Sequence, residues 1–121
     1  FIFNNKNMPE DLVPYWDYDA PNIPNEPRDA SAAAVMACAL YELSMYNVEK
    51  ATQYKQWADT IINNLSKNYR APLNGNYGFI LLHSTGAHNF ERDVPLIYAD
   101  YYFLEALLKK EKLEKEGTAI L

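Results

Sequence analysis

Apolar positions fall unevenly along the 121 residues and mark out three helices separated by two irregular stretches. Residues 30–40 contain Ala30, Ala32, Ala33, Ala34, Val35, Met36, Ala37, Cys38, Ala39 and Leu40, with almost no polar interruption. A helix there, from an N-cap at Asp29 to about Tyr46, has no polar face, so it is expected to be buried all round. The next helix, from about Val48 to Leu65, reads differently. Ala51, Tyr54, Ala58, Ile61, Ile62 and Leu65 recur at helical spacing with Trp57 on the same side, while Lys50, Gln53, Gln56, Asp59, Asn63 and Asn64 cover the other. That helix is wet on one face. A third helix is expected to start near Pro95, a residue suited to a first helical turn, and is apolar on nearly every face from Leu96 to Leu108.

Between these elements proline and glycine set the boundaries. Residues 4–28 hold Pro9, Pro14, Pro21, Pro24 and Pro27, together with Tyr15, Trp16 and Tyr18. Prolines exclude helix, and the aromatics predict a loop that is ordered by packing. Residues 66–93 form a second irregular stretch, in which Tyr77–Leu82 reads as a short strand or a buried extended run. From 109 to 121 the chain becomes charged and is expected to fray as a tail. Phe1-Ile2-Phe3 reads as the end of a helix entered midway, a hint of further chain upstream.

The order buried, amphipathic, buried predicts an all-α fold with inner and outer helices alternating in two layers, an α/α toroid. Residues 1–121 are then one partial domain, because three helices cannot close such a ring. The two buried helices need partners: a missing N-terminal portion, or a second copy of this chain in a homo-oligomer. No repeat recurs at the spacing of helical solenoids.

Composition narrows the function. The net charge is −5, which argues against nucleic acid, whose phosphates need a basic face. Lys109, Lys110, Lys112 and Lys115 interleave with Glu111, Glu114 and Glu116, the pattern of a solvated helix end. No apolar run reaches the roughly 18 residues of a membrane-spanning helix. The single cysteine, Cys38, excludes an internal disulfide and reads as a small core residue. His83 and His88 lie five apart in an irregular loop, too sparse a set for a metal. Phosphate-binding, zinc-protease and serine-hydrolase motifs are absent from the sequence.

Carboxylates and aromatics remain. Asp17 and Asp19 sit in the aromatic loop, Asp29 at a helix start, Asp93 and Asp100 at and within another. Carboxyl groups beside an aromatic-lined cleft are what glycoside hydrolysis requires. Each residue also has a structural reading. Asp29 can be a cap, Arg28 can pair with a loop carboxylate, and Trp16 can be a packed anchor or a sugar platform. Asp100, on an apolar helix, must be paired or face a polar cavity.

Four segments carry a resemblance. Pro14-Tyr15-Trp16-Asp17-Tyr18-Asp19-Ala20-Pro21, Pro27-Arg28-Asp29-Ala30-Ser31-Ala32-Ala33, Leu82-His83-Ser84-Thr85-Gly86 and Asp100-Tyr101-Tyr102-Phe103-Leu104-Glu105-Ala106-Leu107 occur in this order. Together they resemble the unsaturated glucuronyl hydrolases, glycoside hydrolase family 88, in its C-terminal portion. The resemblance implies an (α/α)6 toroid of inner and outer helices. It implies removal of an unsaturated uronic acid from oligosaccharides left by polysaccharide lyases, through acid-assisted hydration of the C4–C5 double bond. It implies no metal or organic cofactor. The family's principal catalytic aspartates have no match here, so no catalytic residue is assigned. Substrate contact is expected from Trp16, His83, Ser84 and His88, supported by Asp17, Arg28, Asp29 and Asp100.

Overall fold

The computed structural model describes residues 1–87 and 89–120. Three helices carry the fold: α1, Ala30–Tyr46; α2, Ala51–Asn68; and α3, Ile97–Ile120. A single 3-10 turn, Asn76–Gly78, interrupts the second irregular stretch.

Asp29 starts α1 in extended backbone, with its Oδ1 accepting the Ser31 N–H at 3.1 Å. This satisfies one of the amides that a helix start leaves without a partner. The helix ends at Asn47, whose own carboxamide oxygen accepts the Lys50 N–H and folds the chain into a turn. That turn delays α2 to Ala51, three residues beyond the start expected from periodicity. Along α2, Ala58, Ile61, Ile62 and Leu65 are buried. Ile61 and Leu65 are completely so, each worth about 1.5–3 kcal/mol of burial.

α1 lies between the other two helices, which scarcely touch each other. Its alanines 30, 33, 34 and 37 are wholly buried, and their small side chains let both neighbours approach. Lys109 of α3 reaches Glu42 of α1 and Lys110 reaches Asp59 of α2. With the loop contacts at the other end, these pairs show that α1 and α3 run parallel and α2 antiparallel. The starts of α1 and α3 and the end of α2 therefore share one end of the molecule.

Within the described chain neither α1 nor α3 is buried all round, and each keeps the uncovered apolar face that was expected to need a partner. On α1 the exposed residues Val35, Ala39, Leu43 and Tyr46 form one stripe. On α3 Ile97, Tyr101, Leu104 and Leu108 form another, opposite the buried Ala99, Phe103 and Ala106. Within the described chain no neighbour covers either stripe. The charged segment after Lys109 continues α3 to Ile120. Lys and Glu are good helix formers, and Lys110–Glu114 and Glu111–Lys115 pair one turn apart. Phe1–Phe3 is not helical; Phe3 instead stacks on Trp57 with ring centroids 4.2 Å apart.

The segment 77–82, expected as a short strand or a buried extended run, forms one bridge, Arg70 with Leu81, and Leu81 is buried. Asp100 holds this segment down. Its carboxylate accepts the Ile80 N–H at 2.8 Å and the Leu81 N–H at 3.0 Å. Among the described residues no helix is long and apolar enough to cross a membrane.

Candidate functional site

Both irregular stretches collect where α1 and α3 begin. There they enclose an open cleft of about 450 Å³, lined by Asp11, Glu26, Pro27, Arg28, Asn68, Tyr69, His83 and Asp93.

Arg28 is the anchor of one wall. A bridge to Tyr15 fixes its backbone. Its Nη1 donates to Asp11 at 3.0 Å, to the Val13 carbonyl at 2.9 Å and to the Tyr69 hydroxyl at 3.1 Å. The guanidinium carbon sits 4.8 Å from the centre of the Tyr15 ring. Tyr69, the residue that ends α2, donates its hydroxyl to Asp11 at 2.8 Å. Burial, and then the Asp11 carboxylate, push the Tyr69 phenol well above its ordinary range, so it stays a donor. Arg28 is thus committed to a loop carboxylate and a backbone carbonyl. Its contribution is to hold residues 11–28 against α2.

Trp16 is half-buried, and its indole N–H donates to Glu26 at 2.8 Å. The other Glu26 oxygen accepts the Asn22 N–H. Trp16 therefore orients a carboxylate of the cleft without itself lining it. Asp17 is exposed and turns the chain by accepting the Asp19 N–H.

The opposite wall is the 83–94 loop. The His83 Nδ1 lies 2.6 Å from Asp93, and the His83 ring meets the Tyr69 ring edge-on with centroids 5.8 Å apart. Both residues have left-handed backbone, φ 63° at His83 and 53° at Asp93. Non-glycine residues adopt that region sparingly, and often at functional sites. Asp29 ties this loop to α1: its Oδ1 accepts from Ser31 and also from the Thr85 N–H at 3.1 Å. Asp29 is thus a cap and a loop anchor at once.

Ser84 departs from its expected role. Its side chain is completely buried and its Oγ has no hydrogen-bond partner among the described residues. The bridge pairing Ser84 with Val94 turns the hydroxyl inward, so it cannot meet a ligand in the cleft as the loop stands. Asp100 lies under the site, not in the cleft, and satisfies two backbone amides. His88, the fourth expected contact, lies outside the described residues.

Sequence reasoning missed Asp11, Glu26, Asn68 and Tyr69. They sit in irregular backbone or at a helix end, where no periodicity marks them. The available signal was Arg28, whose charge required a carboxylate within reach. Among the described residues, no three His, Cys, Asp or Glu side chains converge as a metal site. What the cleft offers is carboxylate, imidazole, amide and phenol groups, a set suited to hydrogen-bonding a hydroxyl-rich ligand.

No family model matches the chain. Among known proteins, it is 47% identical over 116 residues to an unsaturated glucuronyl hydrolase of Formosa agariphila, covering 93% of this chain and 28% of that protein. Among solved structures, it matches an unsaturated glucuronyl hydrolase specific for heparin at TM-score 0.90 and 47% identity, over 95% of this chain and 32% of that one. It also matches a variant of the Streptococcus agalactiae enzyme complexed with dGlcA-GalNAc6S at TM-score 0.78 and 30% identity, over 88% of this chain and 30% of that one. The chain thus spans less than a third of the length of these relatives. Its parallel α1 and α3, with α2 antiparallel alongside, form a segment of their α/α toroid. Over its matched residues the chain is similar to the C-terminal portion of the unsaturated glucuronyl hydrolases.

Proposed function

We propose that this chain supplies one wall of the substrate cup in a glycoside hydrolase that removes unsaturated uronic acid from lyase-generated oligosaccharides. The observation that carries the reading is the cleft where α1 and α3 begin, with His83, Asp93, Glu26 and Tyr69 around it. The reaction is a hydration: an acid protonates the C4–C5 double bond and an activated water adds across it. The acid and base come from outside this segment. Here one oxygen of Asp29 and both of Asp100 accept backbone amides, and Asp11 is bound to Arg28 and Tyr69. His83 and the loop around it, His88 included, make the direct contacts to the sugar. Trp16 acts through Glu26, and Arg28, Asp29 and Asp100 fix the framework.

The test is to follow ultraviolet absorbance while the full-length protein acts on unsaturated disaccharides from chondroitin and heparin digestion. Absorbance should fall for at least one of them, and the preferred one identifies the sulfation pattern accepted. A complete chain inactive on every lyase product would sink the reading. The isolated 121 residues should leave absorbance unchanged.

A second reading is favoured by the exposed apolar stripes of α1 and α3: on its own, this segment associates through them. Sedimentation at micromolar concentration decides this, since a stable monomer leaves the association without support.

A further inference from the structure

The loop that carries His83 is held by backbone and side-chain hydrogen bonds, one of which reaches the Asp93 N–H. The His83 carbonyl accepts the Ala30 N–H at 3.0 Å, which fixes the loop to the first turn of α1. Thr85 sits two residues on, buried, with its N–H on Asp29. Its hydroxyl donates to the Arg28 carbonyl at 3.0 Å and accepts the Asp93 N–H at 3.2 Å. The Ser84–Val94 pairing closes the loop beside it, with N–H to carbonyl distances of 3.0 and 2.8 Å in the two directions. Asp93 is left in left-handed backbone, its carboxylate 2.6 Å from the His83 Nδ1.

A pair this exposed is by default a weak surface contact. Here, however, both partners are in backbone that costs free energy, and buried groups on α1 and the loop hold them there. We propose that Asp93 is a positioning residue for His83. Its carboxylate fixes the imidazole as the Nδ1–H tautomer and presents Nε2 to the cleft as a hydrogen-bond acceptor for a sugar hydroxyl. Thr85 holds Asp93 in register through the Asp93 N–H. Nε2 has no hydrogen bond among the described residues, and His83 lines the cleft. An Nδ1–H held by an acceptor leaves the second ring nitrogen unprotonated, since neutral imidazole carries one proton.

The role toward substrate rests on the hydrolase reading; the tautomer does not. The experiment uses the full-length protein and two readouts. Nitrogen-15 spectra of the imidazoles, recorded above the ordinary histidine range and assigned with His83→Gln, report the tautomer. Steady-state kinetics on the best unsaturated disaccharide report the substrate role. Wild type should show Nδ1–H at His83. Asp93→Asn keeps a residue tolerant of left-handed backbone but removes the charge, and should shift His83 toward Nε2–H. It should raise KM about tenfold with kcat nearly unchanged, the worth of one ligand hydrogen bond. Asp93→Gly, which also accepts that backbone, should do the same without any side-chain acceptor. Thr85→Ser should resemble wild type, and Thr85→Val should move toward the Asp93 variants. An Nε2–H tautomer in wild type overturns the proposal, as does an active enzyme in which both Asp93 variants keep the wild-type KM. If the full-length protein is inactive on every lyase product, the hydrolase reading falls and the tautomer alone decides the positioning.

Discussion

Removing the Asp100 carboxylate should destabilise the fold more than any loss of charge at the surface. The side chain is 6% exposed and sits in the first turn of α3. It accepts Ile80 N–H at 2.8 Å and Leu81 N–H at 3.0 Å, so one carboxylate satisfies two main-chain donors of an irregular segment. Hydrogen bonds to a charged group contribute about 1.5–3 kcal/mol each, and a buried donor stripped of its acceptor costs about as much. Against this stands the relief of no longer burying a carboxylate, which removes part of the sum. Asp100→Ala should therefore cost roughly 3–4 kcal/mol. Asp100→Asn keeps one acceptor but sets an amide donor against the second N–H, and should cost roughly 1.5–2.5 kcal/mol. Urea unfolding of the full-length protein gives the free energies, and hydrogen exchange at Ile80 and Leu81 reports the local effect. The reasoning fails if both variants stay within about 0.5 kcal/mol of wild type, or if Asn is the worse of the two.

Asp29→Ala removes the cap of α1 and the acceptor for Thr85, and should cost about 2 kcal/mol, above the ~1 kcal/mol of a cap alone; thermal melting checks it. Ala37→Leu should cost about 1–3 kcal/mol by overpacking, as read by urea unfolding, because Ala37 is wholly buried in the central helix. Stability should also fall in alkali. Burial raises the phenols of Tyr41 and Tyr69 above their ordinary 10.0, with Asp59 and Asp11 adding to it. Their stabilisation is intact below that value and drains away above it, as the unfolded chain ionises first. Tyrosinate absorbance of both should appear together with unfolding, and ionisation of either at its ordinary value in a folded chain contradicts this.

How much of this was legible in the sequence depended on whether a signal was periodic. The alanine run after Asp29 defined α1 to the residue at its start, because a capping side chain and helical composition agreed. The start of α2 moved because Asn47 spends its side chain on Lys50, a local turn that helical periodicity does not register. The charged end of α3 looked like a tail because charge was read as solvation, while the one-turn pairing of Lys and Glu supports helix. At the site, Arg28 announced that it needed a carboxylate but not which one. Asp11 lies 17 residues away in proline-rich chain, and only the folded loop brings it close. Asp100 was correctly reduced to two options, and the structure chose the paired one. Ser84 is buried in this chain; resemblance transfers a motif and not the direction in which each of its side chains points.

Asp29 serves two masters: one oxygen receives the amide of Ser31 in the helix and that of Thr85 in the loop. Neither can let go without loosening the grip on the other. The first turn of α1 and the 83–94 loop should therefore open as one cooperative unit, with shared protection against solvent exchange. A loop held in this way cannot act as an independently moving flap. Entry and exit of a ligand at this wall would have to be timed by motion elsewhere, or would come at the expense of briefly melting the start of the central helix.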